Sequence, residues 1–239
     1  MTLLKGTGPN FQIIKLKIYF TTFEQMNLKH ELQSIISGAG TNSKGSLIQT
    51  AAHYLRESKE AGRNSQKVQF SKDQETEKLI QWVQQNNLWY NNIDETRFLA
   101  RGAEQRVYLL EDVRFVLKLN DSIFYAYWLD YFYSLLIHNF LFPQTAYELI
   151  GFYLEKEHLH AVVKQPFVEI TEPTNLEAAK EFLLENGFQH KRNDDYFNPH
   201  LGIILEDLHD ENILSNQKTL FFIDTVFYLM SSFFSKHSI

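Results

Sequence analysis

The sequence contains no cysteine. That excludes disulfides, thiolate zinc sites and cysteine nucleophiles, and it fits a reducing cytoplasm. Long apolar runs are missing too. The most apolar stretch near the C-terminus, FFIDTVFYLMSSFF, includes Asp224 and is too short to cross a bilayer. The N-terminal MTLLKGTGPNFQIIKLKIYF lacks the clean apolar block and small-residue cleavage site of a signal peptide. Positive charge is in deficit: a net charge of -6 argues against broad electrostatic binding to nucleic acid or an acidic membrane. No internal repeat is visible. What the chain does have is apolar material. With 44% hydrophobic and 15% aromatic residues it can bury a sizeable core and does not read as disordered. Its 239 residues suit one domain with an appendage, or one two-lobed domain. The expectation is a soluble cytoplasmic protein with no membrane partner.

Residues 1–95 read as a mainly helical N-terminal extension of unknown role. FQIIKLKIYF alternates like a strand, NLKHELQSIIS has helical spacing ended by Gly38, and GAGTNSKG has linker composition. SLIQTAAHYLRESKEAG places Leu47, Ile48, Ala51, Ala52 and Leu55 on one helical face. In SKDQETEKLIQWVQQ, Ser71 with Gln74 three residues on is a capping box. From Thr96 the character changes. RFLARGAEQRVYLLEDVRFVLKLN predicts three short strands, and DSIFYAYWLDYFYSLLIHNFLF a long aromatic helix ending before Pro143. A hairpin around EKEH follows, then the helix NLEAAKEFLLENG with Gly187 just past its end. Short strands and a final helix from about Val226 complete the reading, as a helical part with one inserted hairpin. The class is α+β, with an antiparallel sheet first.

Three oxygen-bearing side chains, Asp207, Asn212 and Asp224, lie close together in GIILEDLHDENILSNQKTLFFIDT. Phosphoryl transfer from ATP needs a cation on the phosphates, oxygen ligands for magnesium, and a carboxylate to orient the acceptor hydroxyl. Asp207 and Asn212 stand five residues apart, the spacing of a kinase catalytic loop, and Asp224 follows the next strand as a second metal carboxylate. A hairpin with polar turn residues explains that spacing by itself; NIL, the apolar return strand and Asp224 in register favour the metal reading. Lys118, in the third strand, is the candidate phosphate-contacting cation, although its local sequence alone reads as an edge-strand lysine. His209 inside the loop suits a hydrogen-bonding role better than a metal ligand, and His138 reads as a packing residue.

LEDLHDENIL with FFIDT is similar to the kinase-like fold in its aminoglycoside-phosphotransferase form, where the loop reads Asp-Leu-His-x-x-Asn and an Ile-Asp motif follows. GAEQRVYL, VLKLN, NFLFP, GF, VVKQPFV and DLHDENIL resemble, more closely, the kinase domain of polyvalent proteins from phages and conjugative elements, over residues 98–226. The resemblance implies a two-lobed protein-kinase-like fold across residues 96–239, with an N-lobe at 96–165 and a minimal C-lobe at 166–239. It implies ATP and magnesium as cofactors. By carry-over, Asp207 is the catalytic aspartate, Asn212 and Asp224 are the metal ligands, and Lys118 contacts phosphate. Gly102 and Ala103 form the phosphate loop, and Gln165 and Phe167 meet adenine through backbone groups at the hinge.

The departures are specific. The phosphate loop has the single Gly102, and Glu104 adds negative charge there. The helix after Lys118 has no glutamate, leaving Asp130 as the candidate partner of the lysine. No arginine precedes Asp207, and little chain follows Asp224 to build a peptide-binding lobe. Three readings stay open: an ATP/Mg-dependent phosphotransferase of unknown acceptor, protein or small molecule; a degenerate kinase fold that binds nucleotide or a protein without turnover; and an interaction protein with no nucleotide site.

Overall fold

The computed structural model describes residues 22–40, 46–61 and 71–235. The strand expected at 11–20 and most of the GAGTNSKG linker lie outside them. Three helices come first: α1 (Thr22–Ser37), α2 (Ser46–Ala61) and α3 (Lys72–Gln85). Gly38 ends α1 in the left-handed conformation, φ 83°. Arg56 of α2 donates to the carbonyls of Ile36 and Ser37, both at 2.8 Å, placing a cation at the negative end of α1. Ile48, Ala51, Ala52 and Leu55 are buried as the sequence spacing predicts, and they join the main core with Leu32, Ile35 and Ile36 of α1. The Ser71–Gln74 capping box starts α3.

The next unit is a five-stranded antiparallel sheet of β1 (Phe98–Arg101), β2 (Gln105–Leu109), β3 (Phe115–Asn120), β4 (Glu148–Glu155) and β5 (His158–Pro166). Its order is β1-β2-β3-β5-β4, and α4 (Trp128–Leu141) connects β3 to β4. The β4–β5 turn at Lys156 and Glu157 has positive φ at both residues, the mirror-image turn that matches strand twist. Residues 88–90 run along the outer edge, where Tyr90 N–H donates to Phe152 O at 2.8 Å and Phe152 N–H to Leu88 O at 2.9 Å. A Cβ on Gly151 would stand 2.7 Å from that Leu88 carbonyl, so this crossing requires glycine.

Helix α4 is shorter than DSIFYAYWLDYFYSLLIHNFLF predicts. Residues 121–127 form turns, because Asn120 and Asp121 side-chain oxygens accept from the backbone N–H groups of Ser122 and Ile123. The helix proper is buried almost all round, and its aromatic residues are core. Its N-cap, Tyr127, makes no side-chain cap; instead Glu75 of α3 accepts from Leu129 N–H at 3.2 Å, a carboxylate at the positive end of the helix dipole.

The remainder holds α5 (Leu176–Glu185), β6 (Gln189–Arg192), β7 (Asp195–Asn198), β8 (Ile203–Glu206), β9 (Ile213–Asn216), β10 (Thr219–Phe222) and β11 (Val226–Leu229). Strands β11-β8-β7-β6 form one antiparallel sheet, and β9–β10 a separate hairpin. Two expectations are corrected here. The part after α5 is mostly strand, with NDDYFNPH contributing β7. The segment from Val226 is a strand paired with β8, not a helix. Phe227 is fully buried while Val226, Tyr228 and Leu229 are half-buried, and a short apolar run of that kind has no periodicity that separates strand from helix. The fold is α+β with antiparallel sheets and, among the described residues, five α-helices. No helix among them is long and apolar enough to cross a membrane.

Candidate active site

Strand β3 alternates its faces. Leu117 and Leu119 enter a small core cluster with Tyr108 and Val162, so Lys118 and Asn120 point the other way. There the Lys118 ammonium, 3% exposed, meets Asp224 Oδ1 at 2.5 Å. The contact joins residues 106 positions apart and links the first sheet to the segment between β10 and β11. Asp224 has two further donors: Gln105 Nε2 at 2.9 Å on Oδ2, and at 3.1 Å on Oδ1 the Tyr147 hydroxyl, whose one proton is shared with the Ile223 carbonyl. Burial alone pushes the Asp224 carboxyl up, but Lys118, Tyr147 and Gln105 together hold it below the usual carboxylate range.

Helix α4 sets these groups in place. Asn139 clamps Tyr147 through its backbone, donating to the carbonyl and accepting from the N–H, both at 2.7 Å. His138 sits between Thr145 O at 3.0 Å and Thr225 Oγ1 at 2.7 Å. A carbonyl only accepts, so the imidazole proton is on Nε2 and Thr225 donates to Nδ1. Full burial pushes the His138 pKa down to about 3, so the ring stays neutral. His138 is therefore a packing residue that anchors the neighbour of Asp224.

In the loop after β8, Asp207 adopts φ 64°, a left-handed conformation that costs a non-glycine residue about 1 kcal/mol or more. It brings the Asp207 carboxylate within 3.1 Å of Asn212 Nδ2, which also donates to the Asp207 carbonyl at 2.7 Å. With its nitrogen end held this way, Asn212 has its oxygen end left for a cation. His209 stands 3.1 Å from Asn212 Nδ2 and 3.4 Å from Asp207 Oδ1, inside the same loop network. Ile223 N–H donates to the Asn212 carbonyl at 2.9 Å, tying the Asp207 loop to the Asp224 segment.

Not every predicted residue falls where the sequence suggests. Lys118 is paired with Asp224 and not with Asp130, which lies half-buried in the first turn of α4. The short aspartate side chain starts there from the helix end, while Asp224 arrives directly opposite β3. Gln165 and Phe167 do not present the expected free hinge. Gln165 is paired with Val116 in the sheet, and its buried side chain donates to the carbonyls of Thr145 and Ile223. The Phe167 N–H is used by Arg114 O at 2.9 Å. Gly102 and Ala103 form an exposed turn closed by Gly102 N–H to Gln105 O at 2.9 Å.

Gln105, Tyr147 and Asn139 also belong to the site, and no local sequence pattern marks them. In the sequence alone Glu104 is only an unfavourable charge. Glu104 lines a cavity of about 20 Å³ with Gln105, Asn120, Tyr125, Tyr131 and Asp224, room for one water. Burial first, then the nearby Asp224, Asp121 and Asp207, push its carboxyl up to about 7 against a hydrogen bond from Asn120. A second cavity of about 210 Å³ lies on the α5 side of the Asp207 loop, lined by Leu208, Ile213, Lys180, His190, Asp194 and Tyr196 among others.

Asp224, Asn212 and Asp207 are oxygen donors suited to magnesium, which prefers one or two carboxylates and keeps its waters. Asp224 is held ionised, and of its three present donors the ammonium of Lys118 and the amide of Gln105 are ones a cation can displace. The residues therefore fit a magnesium–nucleotide site once Gln105 gives way.

No curated protein and no solved structure matches the chain. A family model described as a serine/threonine/tyrosine kinase found in polyvalent proteins matches residues 72–231. The match takes in α3, whose Glu75 caps the helix that anchors Tyr147 and Thr225, together with Lys118, Asp207, Asn212 and Asp224. The chain belongs to this polyvalent-protein kinase family.

Proposed function

We propose that the protein is a magnesium- and ATP-dependent phosphotransferase with a two-lobed, kinase-like fold. The observation that carries this reading is the Lys118–Asp224 ion pair at 2.5 Å, which brings together the two oppositely charged groups such a site needs. Magnesium would neutralise the phosphate oxygens and the charge that develops on them. Asn212 and Asp224 would hold it through their side-chain oxygens, which would free Lys118 to turn from Asp224 to the phosphates. Asp207, more than half exposed, accepts the proton of the acceptor hydroxyl while Asn212 and His209 keep its carboxylate oriented. The acceptor is a hydroxyl-bearing protein or small molecule, and the setting is the cytoplasm of a host carrying a phage or conjugative element. Broad nucleic-acid binding does not suit the net charge of -6.

One observation favours a second reading. Gln105 occupies Asp224 Oδ2 and the adjoining cavity holds only about 20 Å³, as suits a degenerate kinase that binds without turnover. Transfer of the γ-phosphate from labelled ATP, to the protein itself, to added acceptors or to water, separates the two. The phosphotransferase reading expects transfer that falls about a thousandfold or more in Asp207→Asn. Equal transfer by wild type and variant would remove Asp207 from the role given to it.

A further inference from the structure

Helix α4 brings no glutamate to Lys118, and the carboxylate now paired with that lysine is one that the proposed function assigns to a metal. Once Asp224 takes a cation, Lys118 needs another anionic partner to hold its ammonium against the phosphates. Glu104 meets the requirement. It lines the same cavity as Asp224, and its Oε2 is buried with no hydrogen-bond partner. The Tyr131 hydroxyl in that cavity wall is likewise buried without one.

Its placement on the backbone is firm. Glu104 O accepts from Asp121 N–H at 3.1 Å, and the next residue, Gln105, pairs with Asn120 across the β2–β3 ladder. Movement of the exposed Gly102–Ala103 tip therefore leaves Glu104 anchored at the end of β3. Asn120, which lines the same cavity as Glu104, lies two residues from Lys118 on the same strand face. That step is about 7 Å, a distance a lysine side chain covers by a rotamer change.

We propose that Glu104 is the positioning residue for Lys118 in the nucleotide-bound state, replacing the glutamate that α4 lacks. The inference rests on the phosphotransferase reading. It makes the glycine-poor loop a source of the lysine's counter-charge, where the sequence alone makes it an obstacle to phosphate.

The test is a double-mutant cycle of magnesium–ATP affinity, by calorimetry, on the full chain: wild type, Glu104→Gln, Lys118→Gln and the double variant, with melting curves to verify folding. The expected result is a loss of about tenfold or more for Glu104→Gln, none of it additional in the Lys118→Gln background. Unchanged or tighter binding in Glu104→Gln would overturn the proposal, since the carboxylate would then merely repel phosphate. An equal loss in both backgrounds would overturn it too, as a purely structural effect. If Lys118→Gln does not fold, the sign of the single Glu104→Gln effect decides. Wild type that binds no magnesium–ATP would overturn the phosphotransferase reading and this inference together, whereas binding insensitive to Glu104 overturns the inference alone.

Discussion

His138 and Glu104 pull the stability of this protein in opposite directions with pH. His138 has a folded pKa of about 3 against an ordinary value of 6.5, so below 6.5 the unfolded chain binds the proton and the folded chain does not. Its contribution is fully present above pH 6.5 and is lost as pH falls toward 3. The measurement is the His138 ring signal by NMR, which should stay that of a neutral imidazole at pH 5; titration near 6.5 would contradict the burial account. Glu104 runs the other way. Its folded pKa of about 7 exceeds the ordinary 4.5, so its contribution is intact below 4.5 and is lost as pH rises through 7. Glu104→Gln should therefore stabilise the ligand-free protein at pH 8 by up to about 3 kcal/mol and leave it unchanged near pH 4, as read by chemical denaturation. A variant less stable than wild type at pH 8 would show that the carboxylate is solvated or paired.

Among the elements, the clearest sequence signals were local ones. Capping by Ser71, the left-handed glycines after α1 and α5, and the three short turn-bounded strands β1–β3 all depend on neighbours within a few residues, and all are present. The turns that shorten α4 and the strand at Val226 were not legible. The first arises because Asn120 and Asp121 cap their own backbone, and the second because β8 offers Val226–Leu229 a partner across the fold. The site divides along the same line. Asp207 and Asn212 are one motif and meet as their spacing suggests. Asp130 and the Gln165–Phe167 hinge depended on tertiary placement, which sends Lys118 to Asp224 and the Phe167 N–H to Arg114. Gly151 is a tertiary requirement of this kind. Gly151→Ala should cost about 2 kcal/mol through the clash with Leu88 O, measured by urea unfolding. A neutral result would mean the edge segment can shift freely.

At the scale of the whole molecule, the N-terminal helices are integral to the site. Lys29 and Gln33 of α1 donate to the carbonyls of Ser232 and Phe233, while α2 and α3 pack on α4, which in turn holds Tyr147 and Thr225 beside Asp224. Loss of packing far from Asp224 should therefore be felt throughout. Ile48→Ala should destabilise by about 2–4 kcal/mol and still melt in one transition seen equally by tryptophan fluorescence and circular dichroism. Two separate transitions would mean that the helices fold on their own. The central claim, that Lys118, Asn212 and Asp224 form a magnesium–nucleotide site, is tested most directly by calorimetry of ATP binding with and without magnesium, in wild type and Asp224→Asn. Magnesium-dependent binding that is lost in the variant is the predicted result. No binding by wild type at about millimolar ATP would contradict it.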